Sequence, residues 1–195
     1  RQGPAGDGVW TTIQAAPYET GRPYSLFYQR IRNDLGIVDG DGPDLVRRKI
    51  DRALATFPPA QKAAISQAVE ALLAVEGRAE GPQLEAEALK RQLFELTTEV
   101  WRNEGLAGPS VTVFDDLHWS DPASAELIGH LCQLVEELPV MILCAMRPYQ
   151  ESPGWRIKEA AAAAYPAHFS EFTLQPLDGS HSNELVDHLL VIADL

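Results

Sequence analysis

The sequence predicts an α/β protein whose parallel sheet carries an all-helical insert. Short apolar, β-branched runs stand at 9–15, 111–115 and 140–146, each bounded by turn residues. Between and after them, apolar residues recur every three or four positions, as on helix faces. Over residues 106–195 strand and helix alternate, which requires crossover connections and therefore parallel strands.

Residues 1–8 read as a glycine-rich loop and Val9–Ala15 as a strand. After a loop at 17–23, Phe27, Ile31 and Leu35 mark a helix stopped by Gly36. A turn at 37–43 leads into a helix from Pro43 to Phe57, with Ile50, Leu54 and Phe57 inward and Pro58-Pro59 as its stop. A third helix runs to about Val75 through Ile65, Val69 and Leu72, with Gly77 beyond its end. A fourth, from about Leu84 to Glu104, carries Leu89, Leu93, Leu96 and Val100 and is expected to end at Gly105. Residues 36–105 thus read as the helical insert.

Val111–Asp115 is the next strand, and Pro122–Leu138 a helix with Leu127, Leu131, Leu134 and Leu138 inward. The unbroken apolar run from Val140 to Met146 is expected to be covered on both faces. A helix at 155–165, a short strand around Phe172 and Leu174, and a helix through Leu185, Leu189 and Ile192 complete the pattern.

Composition narrows the function classes. At 45% hydrophobic residues the chain is an ordinary globular protein, and no apolar run approaches the about 20 residues of a membrane helix. No signal peptide opens it. Cys132 and Cys144 lie inside apolar patterns without CxxC spacing, which fits free thiols in a reducing cytoplasm. Residues 51–195 hold nine Lys/Arg against 22 Asp/Glu, a balance that argues against nucleic-acid binding by this segment. The chain opens on Arg1, so it is expected to be a piece of a longer protein.

The residues that point to chemistry cluster in Val111-Thr-Val-Phe-Asp-Asp-Leu-His-Trp-Ser-Asp121. Asp115 and Asp116 fall where a buried strand meets its loop, and in parallel sheets the ligand crevice lies at the carboxyl ends of strands. One carboxylate can hold Mg²⁺, usually through water, while the other orients or deprotonates an attacking water. Taken alone, such a pair more often starts a solvated turn; the apolar strand before it and the capped helix after it favour chemistry. His118 either contacts a phosphate or ties the loop to a neighbouring carbonyl. Trp119 reads as packing. Asp121 reads as a helix cap, with Pro122 in the first turn. Arg147, closing the 140–146 run, belongs on the same rim, where a guanidinium can read a γ-phosphate or serve only as a surface charge. A transition-metal site from His118, Asp121 and His130 is disfavoured by their spacing.

With these residues in hand, the chain resembles the STAND-class P-loop ATPase domain. More narrowly, it resembles the AAA-like module that bacterial signalling proteins carry beside LuxR-type helix-turn-helix or class III adenylate/guanylate cyclase domains. The resemblance rests on Val111–Ser124, Leu138–Pro148 and Phe172–Leu177, with weaker support from Pro17–Tyr24. It implies a P-loop NTPase-like core spanning 1–195, with ATP and Mg²⁺ as cofactors. Asp115 would be the metal ligand, Asp116 the residue preparing water, and Arg147 the sensor. It also implies intramolecular output and sensor domains and assembly into a homo-oligomer.

One departure is large. The family's Gly-x-x-x-x-Gly-Lys-Ser/Thr loop is absent from the 195 residues, and Gly3-Pro-Ala-Gly-Asp-Gly8 lacks its lysine. The first strand and phosphate loop of the core are therefore expected upstream of Arg1, and this segment is expected to bind ATP poorly. Three functions follow from different classes: a regulatory ATP switch, a non-hydrolysing interaction scaffold, and a metal-dependent hydrolase of another kind.

Overall fold

The computed structural model describes residues 9–55, 57–74 and 85–193. Their framework is a three-stranded parallel sheet in the order β1 (Val9–Gln14), β2 (Ser110–Asp115), β3 (Val140–Cys144). β2 is central, pairing Gln14 with Asp115 on one side and Phe114 with Cys144 on the other. All three carboxyl ends therefore meet at one rim, as parallel strands joined by helical crossovers require.

Among the described residues, four α-helices separate β1 from β2: α1 (Ser25–Leu35), α2 (Pro43–Ala53), α3 (Pro59–Ala74) and α4 (Ala86–Ala107). The predicted stripes face inward, with Phe27, Ile50, Leu54, Ile65, Val69, Leu72, Leu93 and Leu96 all buried. Gly36 ends α1 in the left-handed conformation (φ 62°), and the N–H of Ile37 reaches back to the Arg32 carbonyl at 2.8 Å. Phe114 on β2 is fully buried, with the Trp101 ring of α4 at 6.3 Å and the Phe27 ring of α1 at 6.4 Å. Burial of such a side chain contributes about 1.5–3 kcal/mol, so this aromatic cluster anchors the helices to the sheet.

The helix α5 (Pro122–Leu131) continues as a 3-10 turn through Cys132–Glu136, and α6 (Pro153–Ala164) follows β3. Leu127, Leu131 and Leu134 are fully buried, as their spacing predicts. The last described element is α7 (Gly179–Ala193), whose first turn is capped by Asp178 accepting from the His181 N–H at 2.8 Å.

Four expectations need correction. Gly105 does not end α4; the helix passes through it to Ala107. A Cβ at Gly105 would stand 3.1–3.2 Å from side-chain carbons of Leu138 and Val140, so the glycine serves close packing against the entry to β3. The helix from Pro43 stops at Ala53, short of Phe57. The run from Val140 is not covered on both faces: Met141 and Leu143, on one face of β3, are 56% and 37% exposed, because no described helix covers that face. Residues 172–174 form no strand; Phe172 and Leu174 are 88% and 92% exposed in an irregular segment. Alternation alone cannot make a strand, which needs a neighbour to receive its backbone hydrogen bonds. The predicted end at Val75, Gly77 and the glycine-rich loop at 3–8 lie outside the described residues, as do the side chains of Leu189 and Ile192. Among the described residues, no helix is long and apolar enough to cross a membrane.

Candidate functional site

The site grows from the carboxyl end of β2. Both neighbours continue their ladders past it: the Ala15 N–H donates to the Asp115 carbonyl at 3.0 Å, and the Ala145 N–H to the Phe114 carbonyl at 2.9 Å. The chain then turns at Asp116, which takes the left-handed conformation (φ 55°), and enters a 3-10 turn at Leu117–Trp119. Aspartate is among the few non-glycine residues that tolerate this region. The turn is pinned by the Leu117 N–H donating to the Ala145 carbonyl at 3.0 Å.

Asp115 is half-buried, and its Oδ1 accepts from the Asp116 N–H at 2.9 Å. The Asp116 carboxylate is 42% exposed and accepts from Gln14 Nε2 at 3.1 Å. Gln14 ends β1 directly opposite Asp115, so the sheet register itself delivers its amide to Asp116. Sequence reasoning missed Gln14; its one signal was a polar residue closing a parallel strand on the ligand rim.

His118 lies inside, its side chain 1% exposed. Its Nδ1 accepts from the backbone N–H of Arg147 at 3.5 Å, so it ties the loop to an amide, not to a carbonyl. The Tyr149 ring meets it edge-on at 5.5 Å and the Trp119 ring lies at 4.9 Å, while the nearer Asp116 oxygen is 3.8 Å from Nδ1. Arg147 itself is exposed, on the loop that leaves β3. The structure thus brings Asp115, Asp116, His118 and the Arg147 backbone to one rim.

The floor of the turn is the start of α6. A Cβ at Gly154 would stand 2.7 Å from the Leu117 carbonyl oxygen, a distance that only glycine avoids. Neither Gly154 nor Tyr149 could be singled out from sequence, since both act through contacts with a turn more than thirty residues away.

Asp121 is 1% exposed and makes no contribution to the open rim. Its Oδ1 accepts from Ser124 N at 2.8 Å and Tyr24 N at 3.0 Å; its Oδ2 accepts from Ser25 N at 3.1 Å and Ser25 Oγ at 3.0 Å. One carboxylate therefore caps α5 and α1 together, satisfying amides at two helix N-termini. Tyr24, held at φ 60°, is the strained partner in this arrangement.

The carboxylate pair offers hard oxygen donors of the kind Mg²⁺ selects. No group of three or more His, Cys, Asp or Glu side chains among the described residues could hold a metal ion. The donor set therefore fits an ion that takes most of its ligands from phosphate and water, and does not fit a transition metal caged by protein. The described residues supply no glycine-rich phosphate cradle to match.

Both cysteines are free. Burial pushes the Cys144 thiol up to about 12, with nearby Cys132 adding to the effect, and burial also raises Cys132. Neither is set up as a nucleophile.

No solved structure matches the chain. An uncharacterized Rhizobium meliloti (strain 1021) protein, R02095, is 30% identical over 103 residues, which are 53% of this chain and 9% of that protein. The chain thus spans only a small part of that relative's length. The model of the AAA ATPase domain matches residues 2–143, a stretch that takes in β1 and β2 and ends within β3. By that match over most of its length, the chain belongs to the AAA ATPase domain family.

Proposed function

We propose that this chain is the Mg²⁺-side portion of a regulatory ATP switch in a multidomain bacterial signalling protein of the STAND class. The observation that carries the reading is the exposed Asp116 carboxylate beside Asp115, at the carboxyl end of the central strand and oriented by Gln14. When bound with nucleotide, Mg²⁺ would supply charge neutralisation at the phosphates. Asp115 is the residue to hold it, and Asp116 the residue to orient a water and accept its proton. His118, buried against the Arg147 backbone, is a positioning residue that sets where the guanidinium can reach. Arg147, exposed on the loop after β3, is in this reading the cation that senses a phosphate. The AAA family membership supports nucleotide chemistry, and the small share of the Rhizobium relative that is matched supports a multidomain setting. An adenylate/guanylate cyclase or a transcription-regulating output domain, homo-oligomeric assembly and a cytoplasmic location all belong to this proposal.

The test has two arms. Calorimetric titration of residues 1–195 with MgATP is expected to show dissociation constants on the order of 1 mM or weaker, since backbone amides and a lysine normally grip the phosphates. Micromolar binding would overturn the division of labour proposed here. In a longer polypeptide that carries a phosphate loop, Asp116→Asn is expected to cut hydrolysis about 100-fold or more while leaving ATP bound. Unchanged turnover in that variant would remove Asp116 from the chemistry.

A second reading comes from a different class. It is a scaffold that keeps the fold without hydrolysis. A functional phosphate loop in the same polypeptide, with turnover sensitive to Asp116→Asn, would exclude it.

A further inference from the structure

A cavity of about 800 Å³ lies between the β1 side of the sheet and helices α1 to α4, away from the carboxylate rim. Trp10, Phe27, Phe57, Leu96, Val100 and Trp101 supply much of its wall. Protein interiors are close-packed, with few voids larger than a water molecule, and ligand sites typically occupy about 300–1,000 Å³. The volume lies within the range of ligand sites, in a pocket that is open on one side. Trp10, 49% exposed, marks where the cavity meets solvent.

One corner is polar. Arg30, Asp34 and Glu104 all line the cavity. Arg30 is 12% exposed in its side chain; its Nη2 donates to Glu104 at 2.7 Å and its Nε pairs with Asp34. Its Nη1 is buried and has no hydrogen-bond partner among the described residues. Buried donors of a charged group are seldom left unmet, because losing solvation without a partner is costly.

The charges select the ligand. Arg30 is already matched by two carboxylates, so the corner carries a formal surplus of one negative charge and disfavours an anion. The unmet group is a donor, so the ligand has to bring an acceptor, which an ammonium-type cation lacks. We propose that the cavity is a binding site for a small, neutral, mainly apolar molecule, aromatic or alicyclic, whose single carbonyl-type acceptor receives Arg30 Nη1. The site is independent of nucleotide: it stands or falls without any ATP chemistry at the rim.

The probe is 6-propionyl-2-dimethylaminonaphthalene, a neutral naphthalene bearing one ketone and a solvent-sensitive emission. Titrated with residues 1–195, it is expected to shift to the blue and saturate at one molecule per chain, with affinity on the order of 10 μM. Arg30→Met is expected to weaken binding about fivefold or more by removing the donor. Val100→Trp fills the cavity and should abolish saturation, whereas Met141→Glu on the exposed β3 edge should leave binding unchanged. Far-UV dichroism establishes that each variant is folded. Hydrogen exchange on the unaltered chain needs no variant: bound probe should protect amides of α1 and the second half of α4. Non-saturable emission, protection confined to β3 or residues 170–177, or equal affinity in Arg30→Met and the unaltered chain would each overturn the proposal.

Discussion

Replacing Asp121 by asparagine exchanges one acceptor oxygen for an NH₂ donor at a place where four donors converge. Whichever way the amide is turned, its NH₂ confronts a pair. One pair is the amides of Tyr24 and Ser124; the other is the amide and hydroxyl of Ser25. The second choice is less damaging, because the Ser25 hydroxyl can turn to accept. It still strands the Ser25 N–H, and it removes the negative charge between two helix N-termini. A buried donor left unmet costs about 1–3 kcal/mol, and the lost charge–dipole attraction adds about 1–2 kcal/mol in a buried setting. Asp121→Asn is therefore expected to destabilise by about 3 kcal/mol. Asp121→Ala strands three backbone amides and should cost about 5 kcal/mol, against a total of about 5–15 kcal/mol for domains generally. Urea unfolding followed by tryptophan fluorescence and far-UV dichroism measures both. At this chain length, 3 kcal/mol lowers Tm by about 6–12 °C. Asp116→Asn is the control: its carboxylate is 42% exposed, and asparagine tolerates the left-handed region, so it should change stability by less than about 1 kcal/mol. Should Asp121→Asn unfold within 1 kcal/mol of the unaltered chain, the two-helix cap is not a principal support of the fold.

Gly154→Ala should push the Leu117 carbonyl, costing about 1–3 kcal/mol and loosening the Asp115–His118 turn; a melting curve indistinguishable from the unaltered chain would show that the 2.7 Å approach relaxes freely. The Cys144 thiol holds its proton to about 12 in the folded chain, whereas an unfolded thiol loses it near pH 8.5. Its contribution is therefore fully present below that lower value and is lost as pH rises toward 12. The urea midpoint should fall between about pH 9 and 11, and Cys144→Ala should flatten part of that fall. Identical pH profiles for the two proteins would refute it.

Helices were legible because their signals are local. The four-residue spacing of Phe27, Ile31 and Leu35 and the stop at Gly36 needed no knowledge of the rest of the chain. The position of Asp115 and Asp116 at the end of β2 was legible for the same reason, since a strand followed by a capped helix is a local pattern. Asp121 shows the limit. Its bond to Ser124 follows from the cap rule, but its bonds to Tyr24 and Ser25 join residues 96 and 97 positions away. Gln14 was missed because its role depends on which residue the register sets opposite it. Gly105 was misread because a glycine near a helix end looks the same whether it terminates the helix or admits a neighbour. Phe172 and Leu174 alternate as a strand would, but alternation describes one partner of a ladder and cannot supply the other.

The left-handed backbone at Asp116 also limits how this site can change over evolutionary time. Most side chains are penalised there, so the tolerated alphabet is short: aspartate, asparagine and glycine. A lineage that abandoned the carboxylate could drift to asparagine or glycine without disturbing the turn, while alanine or valine would need the loop to rebuild. On the role proposed for Asp116, loss of the carboxylate should thus be recorded as a one-atom or side-chain-deleting substitution, and such a chain would keep the outline of the turn.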